Sequence, residues 1–166
     1  TMLKAVGAVF VFSCCCLAGL SRAFTMKRRV KSLEALLAAV RRIDAEVSFS
    51  KKRLERIFNE TAQQSGISLF AYAAENMRTA GFKSAWRAAV GDACPDMALT
   101  DADRQCLLQL ASIGDYTGGE QKKCLHAAER LIELSLAGAR DELSKSAKLF
   151  SSGGVLVGML AVILLL

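Results

Sequence analysis

Two apolar runs bracket the chain, at residues 3–20 and 149–166, and they constrain its fold more than anything between them. The first carries a single charge, Lys4; the second, ending GGVLVGMLAVILLL, carries none. Each is 18 residues long, the lower edge of what crosses a hydrocarbon core of about 30 Å as a helix. A helix packed inside a soluble domain normally keeps one polar side, so two membrane spans are expected, the alternative being a buried hairpin of both ends. The 166 residues hold one domain of ordinary size. The expected division is a span at 1–21, a helical body at 22–150 and a second span at 151–166.

The flanking charge predicts how these spans lie. Arg22, Lys27, Arg28, Arg29 and Lys31 crowd the exit of the first, and Arg140, Lys145 and Lys148 precede the second. Basic residues beside a span are retained on the cytoplasmic side, so both ends put the body in the cytoplasm. A rival reading takes the first run as a signal peptide, with Lys4 at its start and Ser21 and Ala23 as small residues for cleavage, which would export a tail-anchored protein. A lipoprotein signal is opposed by bulky Phe12 ahead of the cysteines.

Six cysteines do not form a framework. Cys14, Cys15 and Cys16 are consecutive helical positions that point apart, while Cys94, Cys106 and Cys124 stand alone. In a reducing compartment they read as small hydrophobes. His126 is the only histidine, and without a close cysteine pair it reads as a helix-face residue rather than a zinc ligand.

The middle is helical throughout. Leu33, Leu36, Leu37, Val40, Ile43 and Val47 make a stripe from Val30 to about Ser48. Leu54, Ile57, Phe58 and Ala62 repeat it in a second helix ending at Gly66. A third stops at Gly81, and a fourth, anchored by Trp86, closes before Pro95. Thr100 and Asp103 stand in capping-box spacing ahead of a fifth that runs to Gly114. Thr117 and Glu120 form a second such box before a sixth that runs to about Phe150. No alternating run suggests a strand. The expected fold is all-α, an antiparallel up-and-down bundle of about six helices flanked by two transmembrane helices. An even number of passes returns the chain to the end it entered, as a membrane hairpin requires.

Charge is uneven along the body. Residues 22–56 hold eleven basic and four acidic side chains, and residues 57–150 hold ten and twelve. The cluster from Arg22 to Lys31 lies beside the bilayer, where each cation gains about 1 kcal/mol from anionic lipid. Lys51, Lys52, Arg53 and Arg56 fall about 30 Å farther along the first helix, beyond a screening length of about 8 Å. Cations at a helix start oppose the dipole, a placement that suits a partner or, more plainly, a solvated face.

Neither nucleic-acid binding nor catalysis has a recognisable signature. There is no helix-turn-helix and no aromatic platform for single strands. TGGEQKK lacks the Lys-Ser or Lys-Thr of a phosphate loop, and GISLF lacks the second glycine of a nucleophile elbow. Asp101 with Asp103, and Asp141 with Glu142, aim at different helix faces. Neither an enzyme nor a cofactor is expected.

The closing GGVLVGMLAVILLL, the opening MLKAVGAV, Trp86 in SAWRAAV, the LASIGD turn and Gln121 in GGEQKKCLHAAERL together resemble the stage III sporulation protein AB family. The resemblance implies a cytoplasmic helical bundle similar to the platform protein F of type II secretion machines. It also implies a scaffold role in a channel between mother cell and forespore, in the mother-cell membrane around the forespore. The implied partners are other stage III sporulation proteins, including a secretion-type ATPase and a membrane ring, with self-association a further option. A membrane adaptor unrelated to sporulation is the alternative. Within the scaffold reading, the membrane-distal end is the expected docking surface. It would comprise Phe49, Lys51, Lys52 and Arg53, the Gly81–Phe82 turn, and Asp115, Tyr116, Gly118 and Gly119. Gly154 and Gly158 form a small-xxx-small pair suited to span packing, or to plain contact with lipid.

Overall fold

The computed structural model describes residues 2–49, 53–116 and 119–165; for most of 2–18, and for 48–49 and 147–165, the description is of the backbone alone. Five α-helices carry the chain: α1 (Met2–Phe49), α2 (Leu54–Ser65), α3 (Ser68–Ala93), α4 (Asp101–Gln109) and α5 (Gly119–Leu165), with a 3-10 helix at Leu110–Asp115 between the last two. No strand occurs among the described residues. Each break has a local cause. Gly66, at φ 66° and ψ 14°, closes α2 with its N–H on the Ala62 carbonyl, a left-handed cap that glycine adopts without Cβ strain. Thr100 and Asp103 exchange both bonds of the expected capping box at the start of α4. Thr117 and Gly118 lie outside the described residues, so α5 is described from Gly119.

The sequence places a helix on either side of Gly81, and the structure has both, the two halves of α3 meeting at a non-helical Gly81. Gly81 has φ 75° and ψ 163°, a region essentially closed to residues with a Cβ. The bend reverses the chain. Ile67 and Met97 line one cleft, although unbroken helix between them would be about 45 Å long. The five α-helices therefore make six passes, alternately up and down.

α1 and α5 pair antiparallel along their length. Met26 meets Ser146, Glu34 meets Arg140, Arg41 meets Glu133 and Glu129, and Asp44 faces His126. The first pass rises as the last descends, so the chain enters and leaves at one pole. Neither long helix breaks at 21–22 or 150–151, the boundaries expected between spans and body. Among the described residues no helix is long and apolar enough to cross a membrane. The two apolar runs fall largely on side chains outside that description.

The core follows the predicted stripes. Leu33, Leu36, Leu37, Val40 and Ile43 of α1 are buried, with Val47 half-buried at the edge. They face Leu125, Ile132, Leu136 and Ala139 of α5. The inner passes close on aromatic rings: Phe58 lies edge-on to Trp86, Phe70 and Phe82 at 5.5–5.7 Å and 5.3 Å, and Phe82 stacks on Trp86 at 6.1 Å. The Trp86 indole N–H donates to the Leu107 carbonyl at 2.6 Å, which satisfies the one polar atom of a fully buried side chain. Gly114 is required by this packing, since a Cβ there would stand 2.9 Å from Phe82.

Gly81 and Gly66 both have open space where a Cβ would go, so alanine at either reports backbone strain alone. Thermal unfolding is expected to show Gly81→Ala destabilised by about 2–3 kcal/mol and Gly66→Ala by about 1 kcal/mol. Equal effects would mean that the α3 bend relaxes on substitution.

Candidate functional site

Charge gathers at both poles, and the structure sorts it differently from the sequence. At the pole where the chain enters and leaves, Arg29 points into the bundle. Its Nε donates to Asp103 Oδ2 at 2.8 Å, one terminal nitrogen to Asp103 Oδ1 at 3.2 Å, and the other to Glu142 at 3.0 Å. The Asp103 side chain is 1% exposed and that of Arg29 15%. Asp103 also accepts from the Thr100 backbone N–H at 3.0 Å and its hydroxyl at 2.8 Å. Burial pushes the Asp103 pKa up, but Arg29 and the Thr100 donors outweigh it and hold the carboxyl below its ordinary value. Arg29 is raised in turn, chiefly by its bond to Asp103. One guanidinium thus ties α1 to the cap of α4 and to α5. Asp103, read from sequence as a cap alone, has this second role.

Arg29 is therefore not free to meet lipid as the grouping by sequence position expects. Arg22, Lys27, Arg28 and Lys31 are exposed. Lys145 is exposed and bonded to Asp141 at 2.6 Å. The side chain of Lys148 and the surroundings of Gly154 and Gly158 lie outside the description, although the backbone at all three is helical.

The opposite pole does assemble from the segments named above: the end of α1, the start of α2, the Gly81 bend, the end of the 3-10 helix and the start of α5. Arg53 is exposed and occupies the N-cap of α2 without a side-chain cap bond. Lys51 and Lys52 lie outside the described residues, as does the Phe49 side chain. Asp115 is exposed and bonded to Lys83 at 2.9 Å. Tyr116 is 43% exposed, in a shallow groove with Glu120 and Lys123. Phe82, expected as a docking aromatic, is half-buried: it stacks on Trp86 of the core and also lines an open cleft at this pole. Sequence reasoning passed over Arg78, Lys83 and Arg87 here. Lys83 and Arg87 line an open cleft of about 430 Å³ with Gly81 and Asp115, and Arg78 stands 3.8 Å from Glu55. Their signal was the cluster of cations flanking a glycine break.

Elsewhere His126, half exposed, stands 3.8 Å from both Asp44 and Glu129. Cys94 is buried, which pushes its thiol pKa up, while Cys106 and Cys124 are half-buried. No group of three His, Cys, Asp or Glu side chains gathers as metal ligands among the described residues.

Comparison with known proteins agrees with this architecture. The family model described as stage III sporulation protein AB matches residues 4–166. The stage III sporulation protein AB of Bacillus subtilis (strain 168) is 25% identical over 171 residues, covering 99% of this chain and all of its own. A solved structure of stage III sporulation protein AB (SpoIIIAB) superposes with a TM-score of 0.65 at 19% identity, covering 70% of this chain and 97% of the other.

The Arg29–Asp103 pair generates a test. Asp103→Ala should cost about 2–4 kcal/mol, because it leaves Arg29 underpaired and removes the α4 cap. A carboxyl with a lowered folded pKa stabilises above its unfolded value of about 3.9 and loses that contribution as pH falls through the folded pKa. Urea midpoints measured from pH 7 down to 2 should therefore fall more steeply in the parent chain than in Asp103→Ala. Parallel curves would assign the acid sensitivity to other carboxylates.

Proposed function

Because the chain belongs to the stage III sporulation protein AB family, we propose that it serves endospore formation as a non-enzymatic, membrane-anchored scaffold of a secretion-like channel between mother cell and forespore. A role in sporulation comes with the family itself. The anchored reading rests on the pairing of α1 with α5. Their register runs from His126 opposite Asp44 to Ser146 opposite Met26, and both helices continue beyond it in the same direction. That direction supports a reading in which the apolar runs 3–20 and 149–166 leave the bundle from one pole. Two apolar helices projecting from one pole of a charged body suit a bilayer below and a cytoplasmic body above.

The scaffold reading draws on the far pole. Arg53 stands uncapped at a helix start, where the dipole disfavours a cation. Together with Tyr116, Lys83 and Arg87 it offers charge and an exposed aromatic about 40 Å from the apolar run, estimated from the helix rise. The partners proposed for this pole are other stage III sporulation proteins, the secretion-type ATPase and membrane-ring components foremost. Clefts here are open and shallow, a shape that suits a protein surface more than a small substrate.

Two measurements test the proposal. A fluorescent protein fused after residue 146 should glow and alkaline phosphatase fused there should stay inactive; the reverse pair would select the exported reading. Reversal of Lys52 and Arg53 to glutamate should reduce spore yield to that of the deletion strain while membrane insertion persists. Normal spore yield would remove the far pole as the docking surface.

A further inference from the structure

The outward face of α1, just beyond the first apolar run, carries apolar and basic side chains in a fixed order. Leu17, Leu20 and Phe24 are 66%, 55% and 68% exposed. Lys27, Arg28 and Lys31 follow, also exposed. Spacings of three and four residues put all six on one stripe. The opposite face is the one that packs: Met26 meets Ser146, Arg29 meets Asp103, and Leu33 is buried. Ser21 and Thr25 join Phe24 and the three cations around a shallow cleft of about 510 Å³ that contains no carboxylate. An adjoining cleft shares Arg28 and Lys31, and Asp96 is its one acid. Two cations of α5 near this pole are neutralised, Arg140 by Glu34 and Lys145 by Asp141, each at 2.6 Å; the side chain of Lys148 lies outside the described residues. Three cations without an ion pair among the described residues therefore share this face, while Arg22 stands exposed off it.

We propose that this face binds the phosphate headgroup of an anionic phospholipid between Lys27, Arg28 and Lys31, with Phe24, Leu20 and Leu17 against its acyl chain. The site rests on the membrane-anchored reading and adds to it a defined side and ligand. Its geometry fits a lipid. Phe24 stands about 6 Å past Leu20 along the axis, and Lys27 and Arg28 about 11–12 Å. A headgroup layer is about 5–7 Å deep, and long basic side chains reach back over the difference. The order from apolar to aromatic to basic is the order of chemistry met in crossing from hydrocarbon to water. A nucleic acid or acidic protein would use the cations and leave Phe24 and Leu20 unexplained.

The test compares the full chain with Lys27→Gln/Arg28→Gln/Lys31→Gln and with a charge-matched control, Arg42→Gln/Arg104→Gln/Arg130→Gln, whose positions are exposed elsewhere. Each protein is reconstituted into vesicles of phosphatidylcholine alone or with phosphatidylglycerol, then extracted, and retained lipid is counted by native mass spectrometry. The parent and the control should keep phosphatidylglycerol, and the triple variant should bind it about a hundredfold more weakly. Equal retention by the triple variant and the control, or equal retention of the neutral lipid, overturns the site. Displacement of the bound lipid by excess glycerol phosphate also overturns it, because the ligand would then be free phosphate. If the parent fails to insert into neutral vesicles, the anchored reading falls and the site with it. Insertion without selectivity sinks the site alone.

Discussion

The antiparallel seam between α1 and α5 is the constraint on which the rest depends. It is built from Leu33, Leu36, Val40 and Ile43 against Leu125, Ile132, Leu136 and Ala139, all buried. Apolar area removed from water, at about 25 cal/mol per Å², supplies the driving force. The ion pairs along its edges, Arg41 with Glu129 and Glu133 and Arg140 with Glu34, involve largely exposed groups and individually contribute little. Their service is to register, because a slip of one turn would set like charges together. Arg29 and Asp103 differ: buried and bidentate, they lock the seam to the cap of α4. Everything between α1 and α5 is laid against a pair of helices already aligned.

The four inner passes are held by one aromatic cluster. Trp86 is its centre, Gly81 turns α3 so that Phe82 and Trp86 return beside Phe70, and Gly114 lets the 3-10 helix approach Phe82. The far pole thus inherits its shape from the core. Lys83 and Asp115, both exposed, are the chain neighbours of the half-buried Phe82 and the crowded Gly114. Were this pole to dock a partner, as proposed, its preorganisation would lower the ordering cost of binding.

Much of this was legible because helical periodicity and glycine breaks are local signals. The stripes of α1 and α2, the Thr100–Asp103 box, the end of α2 at Gly66 and the reversal at Gly81 all appear in the structure. The misplacements have one physical root. Arg29 keeps phase with Leu33, Leu36, Val40 and Ile43, and Asp103 keeps phase with Leu107 and Leu110. Opposite charges on two apolar faces announce a buried pair, but their partnership across 74 residues is set by tertiary packing. Grouping Arg29 by its distance from the apolar run obscured that phase. Phe82 keeps phase with Trp86 and Val90, so it packs on the core while staying half-exposed at the pole. The side chain of Phe49 and residues Lys51 and Lys52 lie outside the described residues, so Arg53 and Tyr116 are the described residues that carry the exposed part of that expectation.

Continuity of the two long helices has a mechanical consequence. α1 runs 48 residues and α5 runs 47 without a linker between the apolar runs and the bundle. Arg29 fastens both to α4, so the bundle moves with the pair as one piece. If the runs lie in a bilayer, the axis from Leu20 to Phe49 is a rigid lever about 43 Å long. A tilt of about 20°, ordinary for membrane helices, then displaces the far pole sideways by roughly 15 Å. The proposed docking at that pole would then be sensitive to how the hairpin sits in lipid. The proposed lipid-binding face would bias that tilt, because Lys27, Arg28 and Lys31 share one side of α1. On that proposal the inward Arg29 and the outward Lys27, Arg28 and Lys31 would divide the work: one cation stiffens the lever while its neighbours aim it.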